Sequence, residues 1–138
     1  MIVRPFQLSD YAQTHRLLSE VLTEECYKDT IEALARQLSL DSELVLVAEK
    51  ENELVGIIIG TIDNNMGYYY RIAVGTAHQR KGIGKEMIAA LKNRFIERKV
   101  RKIMVSVDAH NEPILPLYRS MGYDPADFVA PKLRIMVG

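Results

Sequence analysis

A glycine loop between an apolar and an amphipathic segment constrains the fold of this chain more than any other feature. The apolar segment ends at Val74, the loop occupies residues 79–84 (QRKGIG), and the amphipathic segment covers residues 83–95. Glycines at a helix start leave backbone N–H groups uncovered, and the helix dipole favours an anion there. Three basic side chains add positive charge: Arg80, Lys81 and Lys85. The segment therefore predicts a phosphate-binding unit of strand, loop and helix.

The spacing of the glycines excludes two common phosphate-binding motifs. A P-loop with its lysine at Lys81 would need glycine in place of Arg80 and a hydroxyl residue in place of Gly82. The dinucleotide fingerprint fails as well, because Gly82 and Gly84 would need a third small residue where the chain has Met87. The pattern that remains is Q-x-x-G-x-G.

Length and composition predict one domain over residues 1–138. The apolar fraction of 48% and the charged fraction of 26% are ordinary for a globular protein. The apolar runs are too short to span a bilayer, and residues 1–5 lack the layout of a signal peptide, so a cytoplasmic protein without a membrane segment is expected. Cys26 is a single cysteine, and the three histidines are scattered, so neither a disulfide nor a metal site is expected.

The charge of the chain is zero overall but unevenly distributed. Residues 79–102 contain nine Lys or Arg and two Glu, a net charge of +7, whereas residues 1–70 contain five Lys or Arg and twelve Asp or Glu, a net charge of −7. The basic stretch suits a polyanionic cofactor, and the acidic half could attract a cationic amine. Nucleic acid is not the expected partner, since no recognised binding motif accompanies the basic stretch.

The first half of the chain predicts two helices and an antiparallel meander. A short strand at residues 2–4 precedes a helix capped by Ser9, and a second helix opens at Asp29. Three apolar, β-branched segments separated by polar turns are typical of antiparallel strands: residues 44–48, 54–62 and 68–74.

The second half predicts two crossover helices. Apolar side chains recur at helical spacing over residues 83–95, and a short helix at residues 114–120 ends at Gly122. The strand at residues 102–107 is expected to run parallel to the third meander strand, because a helix joins them. Two further strands are expected, one from Tyr123 and one over residues 132–137. The order β-α-α-β-β-β-α-β-α-β-β predicts an α+β fold, a single mixed sheet flanked by helices.

A second motif follows the glycine loop by about 30 residues. Asn111 closes a strand, Tyr118 lies seven residues later on the helix, and the segment ends in Gly122-Tyr123. With the glycine loop, this segment resembles the two motifs of the GNAT N-acetyltransferase superfamily, [QR]-x-x-G-x-[GA] and N-x-x-[AI]-x-x-L-Y-x-x-x-G-[FY]. The element order is similar to that superfamily from end to end.

Two positions depart from the superfamily pattern. Thr76, preceded by Gly75, stands where many members have proline, which would leave the loop less fixed. Pro116 lies inside the second motif and suits only the first turn of a helix, so that helix is expected to begin near Leu115.

The resemblance implies acetyl-CoA as cosubstrate, bound across a V-shaped gap between the strands at residues 70–74 and 103–107. The diphosphate would bind backbone amides of the loop, and the pantetheine arm would contact the main chain of the preceding strand. The cofactor-binding residues implied in this way are Ile72, Ala73, Val74, Gln79, Arg80, Lys81, Gly82, Ile83, Gly84, Lys85 and Asn111.

The resemblance also implies that Tyr118 protonates the departing thiolate, since a phenol of pKa about 10 can protonate the conjugate base of a thiol of pKa about 8.5. Its alternative is a packing tyrosine. The base that deprotonates the amine is left open among Glu24, Glu25, Asp108 and water. His78 and His110 flank the two motifs, and either could relay a proton.

The predicted activity is acetyl transfer from acetyl-CoA to a primary amine, directly within a ternary complex. A small-molecule amine is the favoured acceptor, because the first half of the chain is acidic. A protein N-terminus or lysine, and a non-catalytic acyl-CoA-binding domain, are the alternatives. Whether an apolar edge strand pairs two chains into a homodimer is left open.

Overall fold

The computed structural model of this protein describes residues 1–130. The strands are β1 (Ile2–Pro5), β2 (Val45–Lys50), β3 (Glu53–Asp63), β4 (Met66–Val74), β5 (Lys102–Ser106) and β6 (Phe128–Val129). The helices are α1 (Tyr11–Val21), α2 (Glu24–Asp41), α3 (Ile83–Glu97) and α4 (Leu115–Ser120).

The six strands form one mixed sheet in the order of the chain. β1 to β4 pair antiparallel, and β5 pairs parallel with both β4 and β6. The meander is joined by two-residue turns whose residues all have positive φ, the conformation of a tight hairpin turn. The expected mixed sheet, with its antiparallel meander and parallel pair, is confirmed.

Helices cover both faces of the sheet and bury two cores. α3 and α4 cover one face, where Met87, Leu91 and Phe95 are fully buried. α1 and α2 cover the other, with Leu18 and Leu34 at its centre. The apolar side chains that the sequence placed on one face of α3 are therefore the ones that are buried.

Two helix starts differ from the expectation. The second helix begins at Glu24, not at Asp29, because Thr23 Oγ1 accepts a hydrogen bond from the N–H of Cys26 and caps it. Ser9 caps no helix, since it lies inside a 3₁₀ turn (Leu8–Asp10) that precedes α1. Glu24 and Glu25 consequently lie in the first turn of a helix rather than in a loop.

The C-terminal expectations are met in part. Tyr123 does not start a strand, because Asp124 caps a 3₁₀ turn (Pro125–Asp127) and β6 begins only at Phe128. The helix of the second motif begins at Leu115, as Pro116 required. The apolar segment 132–137 lies outside the described residues.

β4 and β5 diverge half-way along β4. The parallel ladder runs from the pair Met66 and Lys102 to the pair Tyr69 and Val105, and β4 continues alone to Val74. This is the expected V-shaped gap, and it opens beside the glycine loop.

Candidate active site

A cleft of about 780 Å³ lies in the gap between β4 and β5. Its walls come from the end of β4, the glycine loop, the first turn of α3 and the segment around α4. It is lined by nine of the residues expected to bind the cofactor: Ile72, Ala73, Val74, Gln79, Arg80, Gly82, Ile83, Gly84 and Lys85. The remaining two, Lys81 and Asn111, do not line it; Lys81 is exposed in the loop.

The glycine loop and the first turn of α3 line the cleft through Gly82, Ile83 and Gly84. Arg80 and Gly82 both have positive φ, 63° and 83°. A Cβ at Gly82 would have no atom within 4 Å, so the space beside its backbone is open. Gln79 Nε2 closes the loop by donating to the oxygen of Val74 at 3.0 Å. Left-handed conformations next to uncovered N–H groups form an anion-binding concavity.

The second glycine has a packing function. A Cβ at Gly84 would lie 2.9 Å from Cδ2 of Leu117, so its absence lets α4 approach the start of α3. The two glycines of the loop thus serve different purposes.

The end of β4 presents the main chain of Ile72 to the gap. The N–H of Gly75 bonds to β3 on one side of the strand. The oxygens of Tyr70 and Val74 lie on the other side, where they accept from the side chains of Asn111 and Gln79. Main-chain groups of alternate residues in a strand face the same side. The N–H and C=O of Ile72 therefore face the gap, where β5 no longer pairs.

Asn111 holds the two strands together at the point where they diverge. Its Nδ2 donates to the oxygen of Tyr70 at 3.0 Å and to that of Ser106 at 2.7 Å. Its Oδ1 accepts from Arg71 at 3.1 Å, and the residue is buried. Both amide hydrogens are used within the protein.

Arg71 is a fully buried cation beside Asn111. Its Nη2 lies 3.0 Å from Asp108 Oδ2, and its Nε donates to Thr30 Oγ1 in α2 at 3.1 Å. Burial alone would lower the pKa of the guanidinium, but the Asp108 carboxylate raises it above its usual value. Arg71 was not expected as a site residue; a lone charge in the apolar strand YYYRIAV was the signal for it.

Tyr118, the expected acid, is buried with 2% of its surface exposed, and it is not among the residues that line the cleft. Its ring packs against Tyr69 and Tyr123, with centroids 5.3 Å and 6.4 Å away. Within residues 1–130, its hydroxyl forms no hydrogen bond with another protein group. Burial raises the pKa of Tyr118, so the phenol is neutral and retains its proton.

A second cavity of about 450 Å³ opens beside the first. It is lined by the first turns of α2, including Glu25, Cys26 and Asp29, by Arg71 and by residues 108–110. His110 and Pro113 line both openings. The two cavities therefore adjoin at the segment that follows β5.

The candidate bases differ in their surroundings. The Glu24 side chain is 85% exposed, and its Oε1 lies 3.7 Å from Lys28 Nζ. Glu24 lines neither cavity. Asp108 is partly buried, which would raise its pKa, but Arg71 holds the pKa below the usual range. Glu25 is exposed at the rim of the smaller cavity.

Two histidines line the larger cleft, and each has a buried ring nitrogen without a partner among the described residues: Nδ1 of His78 and Nε2 of His110. Burial and the charge of Arg71 lower the pKa of His110. Only His110 also lines the smaller cavity.

No described helix, over residues 1–130, combines the length and hydropathy needed to cross a bilayer. Within the same range, no group of three or more acidic, His or Cys side chains is positioned to hold a metal ion.

Known proteins resemble this chain in sequence and fold. The model of the acetyltransferase (GNAT) family matches residues 10–123. Acetyltransferase YE1169 of Yersinia enterocolitica is 27% identical over 137 residues, which cover 99% of this chain and 97% of that protein.

Three solved structures share the fold of this chain at sequence identities of 17% to 22%, and they support the fold alone. The PaiA N-acetyltransferase of Thermoplasma acidophilum, in complex with coenzyme A, has a TM-score of 0.74 at 17% identity over 89% of each chain. The diaminobutyrate acetyltransferase EctA of Paenibacillus lautus, with its substrate and coenzyme A, has a TM-score of 0.67 at 22% identity over 87% of this chain and 73% of that one. The ribosomal-protein-S18-alanine N-acetyltransferase of Escherichia coli has a TM-score of 0.67 at 17% identity over 89% and 77%.

Proposed function

Because this chain belongs to the GNAT family of acetyl-CoA-dependent N-acetyltransferases, we propose that it acetylates the primary amine of a small cationic molecule. Transfer would be direct, within a ternary complex. The observation that carries the proposal is the junction of two cavities at His110 and Pro113, next to the gap between β4 and β5. One cavity fits the donor, and the other fits the acceptor.

The larger cleft suits acetyl-CoA at both of its ends. The diphosphate would bind the N–H groups of the glycine loop and the start of α3, near Arg80 and Lys85, which line the cleft. The pantetheine arm would lie along apolar side chains and pair with the free main-chain groups of Ile72, as an added strand does at a sheet edge. Asn111 would support this arm indirectly, by fixing the gap.

Tyr118 would serve as the acid. The amine attacks the thioester carbonyl, the C–S bond breaks, and the thiolate takes a proton from the phenol. The phenol is then restored by the proton that leaves the new amide nitrogen. Its raised pKa keeps it protonated before each turnover, as an acid requires.

The smaller cavity would receive the acceptor. Glu25 and Asp29 line it one helical turn apart on α2, and Asp108 lines it from the segment after β5. Arg71 is paired with Asp108, so the rim carries a net negative charge that attracts an ammonium. This charge favours a small cationic amine. A protein N-terminus or lysine is the alternative, and the E. coli neighbour is named for an alanine of ribosomal protein S18.

Thiol release from acetyl-CoA across a panel of acceptors tests the proposal. The panel holds alkylamines, α,ω-diamines, amino acids and short peptides with a free N-terminus, and mass spectrometry identifies the product. We expect turnover with small cationic amines that weakens as salt screens the rim. Turnover with peptides alone would replace the proposed acceptor with a protein.

The conformation of Gly82 predicts a defect confined to cofactor binding. Alanine at a φ of 83° is disfavoured by about 1–2 kcal/mol, so in Gly82→Ala we expect the KM for acetyl-CoA to rise roughly 5- to 30-fold. The kcat at saturating acetyl-CoA should change little.

The matched control is Gly122→Ala. Gly122 has a φ of 100° and equally open surroundings, but it lies after α4 and outside the cleft. It should lose similar stability without the change in KM. An equal rise of KM in both variants would attribute the effect to general destabilisation rather than to the anion-binding loop.

A further inference from the structure

We propose that His110 is the general base that removes the proton from the acceptor's ammonium. The inference rests on the proposed function, because it requires acetyl-CoA in the larger cleft and an amine in the smaller one. It assigns the base that deprotonates the amine, which the sequence did not identify.

The position of His110 is the first support. An amine must be deprotonated where it meets the thioester, which is the junction of the two cavities. Among the histidines, His110 alone lines both openings; His78 lines the cofactor cleft but not the smaller cavity. A base at the junction can reach the ammonium directly or through one water.

The free nitrogen of His110 is the second support. Its Nε2 is covered by the protein and has no hydrogen-bond partner among the described residues. Buried polar atoms of side chains are normally paired, and an exception calls for an explanation. Because the side chain lines both cavities, a rotation of the ring would bring this nitrogen to the ammonium, or to a water bound to it, and so provide the missing partner.

Burial, together with the nearby cation of Arg71, keeps His110 neutral and able to accept a proton. The groups that share its two cavities are Arg71 from β4, Glu25, Cys26 and Asp29 from α2, Asp108 from its own loop, and His78, Arg80 and Lys85 on the cofactor side. Burial and the nearby charge of Arg71 lower the pKa of His110, partly offset by Asp108. The imidazole is therefore unprotonated at pH 7.

The carboxylates of the same cavity are weaker candidates. Both oxygens of Asp108 bind Arg71, and Oδ1 also accepts from the N–H of Asn111, so its affinity for a proton is low. Glu25 is exposed at the rim, where a carboxylate attracts the ammonium but stays solvated. Neither stands at the junction of both cavities.

The proton balance closes around His110. The ammonium gives one proton to the imidazole and becomes a neutral amine that attacks the carbonyl carbon. The thiolate that leaves acquires a second proton, which originates on the same nitrogen. The imidazolium returns its proton to solvent, so one amide, one thiol and one proton are produced per turnover.

The pH dependence of kcat/KM for an alkylamine tests the proposal. With a neutral base, the wild-type profile should be level from about pH 7 to 9, with an acid limb below the ordinary histidine pKa of about 6.5. In His110→Asn only the free amine can react, so the rate should rise about tenfold per pH unit until the amine pKa of about 10. At pH 7 the loss should be roughly 10²- to 10⁴-fold.

An acceptor that is already neutral separates loss of the base from loss of structure. Methoxyamine is uncharged at pH 7, and His110→Asn should acetylate it at nearly the wild-type rate. A variant with a damaged fold would lose both acceptors equally, and that result would overturn the proposal. His78→Asn is the matched control and should leave the shape of the pH profile unchanged.

Two further results would also overturn the proposal. One is a level profile in His110→Asn; the other is a rising profile in Glu25→Gln, which would identify the rim carboxylate as the base. If wild-type protein acetylated no small amine, the proposed acceptor would fail instead, and peptides would then serve as substrates in the same pH experiment.

Discussion

Tyr118→Phe is expected to lower kcat by roughly 10²- to 10⁴-fold, the range for loss of a general acid, while both KM values stay within a few-fold of wild type. The substitution removes only a hydroxyl. The ring that packs against Tyr69 and Tyr123 is retained, and within residues 1–130 the lost hydroxyl leaves no partner unsatisfied. Steady-state thiol release at saturating acetyl-CoA measures the effect, and thermal unfolding checks the fold.

The pH dependence of kcat sharpens this prediction. Burial raises the pKa of Tyr118 above the ordinary value of about 10, so the acid remains protonated as the pH rises to that value. Wild-type kcat should therefore not fall up to about pH 10 through loss of this proton. A decline centred near pH 8 would contradict a tyrosine with a raised pKa and would assign the acid to another group.

Tyr123→Phe is the matched control, since it removes a hydroxyl from the same aromatic cluster. The Tyr123 hydroxyl lies 2.6 Å from that of Tyr69, so its loss breaks a hydrogen bond and should cost about 1 kcal/mol of stability. Its kcat should change less than tenfold. If Tyr118→Phe kept wild-type kcat, the thiolate would leave without this acid and the phenol would be only a packing group.

The cofactor side of the site could be predicted from the sequence because its signals are local. The glycines at positions 82 and 84 mark the start of α3, and the 3.6-residue period of its apolar side chains marks its buried stripe. The parallel pairing of β5 followed from the helix between the strands. The gap itself required the resemblance to a known family, since no periodicity indicates where a ladder stops.

The start of α2 illustrates two local signals in competition. Asp29 with Glu32 has the spacing of a capping box, and Thr23 with the two glutamates after it is an equally good start. The structure uses Thr23, which moves Glu25 and Cys26 onto the helix that lines the smaller cavity. No pattern within the segment decides between the two.

The acceptor side could not be predicted because its residues are distant in the chain. Arg71 meets Thr30, 41 positions away, Asp108, 37 positions away, and Asn111, 40 positions away. Such contacts depend on how α2, β4 and the segment after β5 pack together. A charge inside an apolar strand indicates that a partner exists, but it does not indicate which one.

Among the single substitutions considered, Arg71→Met is expected to lower the free energy of unfolding most, by about 3 kcal/mol. This corresponds to a fall in Tm of about 10 °C. Methionine has a similar length but leaves the Asp108 carboxylate without its cation and Asn111 and Thr30 without a donor. The value is at the lower end for a broken buried pair, because the Asp108 side chain is 26% exposed. Urea and thermal unfolding measure it.

Arg98→Met provides the comparison on the surface. Arg98 also binds a carboxylate through two nitrogens, at 3.0 Å and 3.2 Å from Asp41, but both side chains are about a third exposed. Its replacement should cost less than about 1 kcal/mol. Equal losses in the two variants would show that burial of Arg71 does not determine the energy of its pair.

The difference between wild type and Arg71→Met should shrink in acid. In wild type, burial would raise the pKa of Asp108, but Arg71 holds it below the usual range, so the stability from the pair is present at pH above about 4 and is lost as the pH falls further. In Arg71→Met the N–H of Asn111 still donates to Oδ1, but burial is no longer offset by the guanidinium. The pKa of Asp108 is therefore higher than in wild type, and protonation relieves the unpaired charge at a higher pH. Arg71→Met combined with Asp108→Asn should therefore regain part of the loss at pH 7; a double variant as unstable as the sum of the two single changes would contradict this coupling.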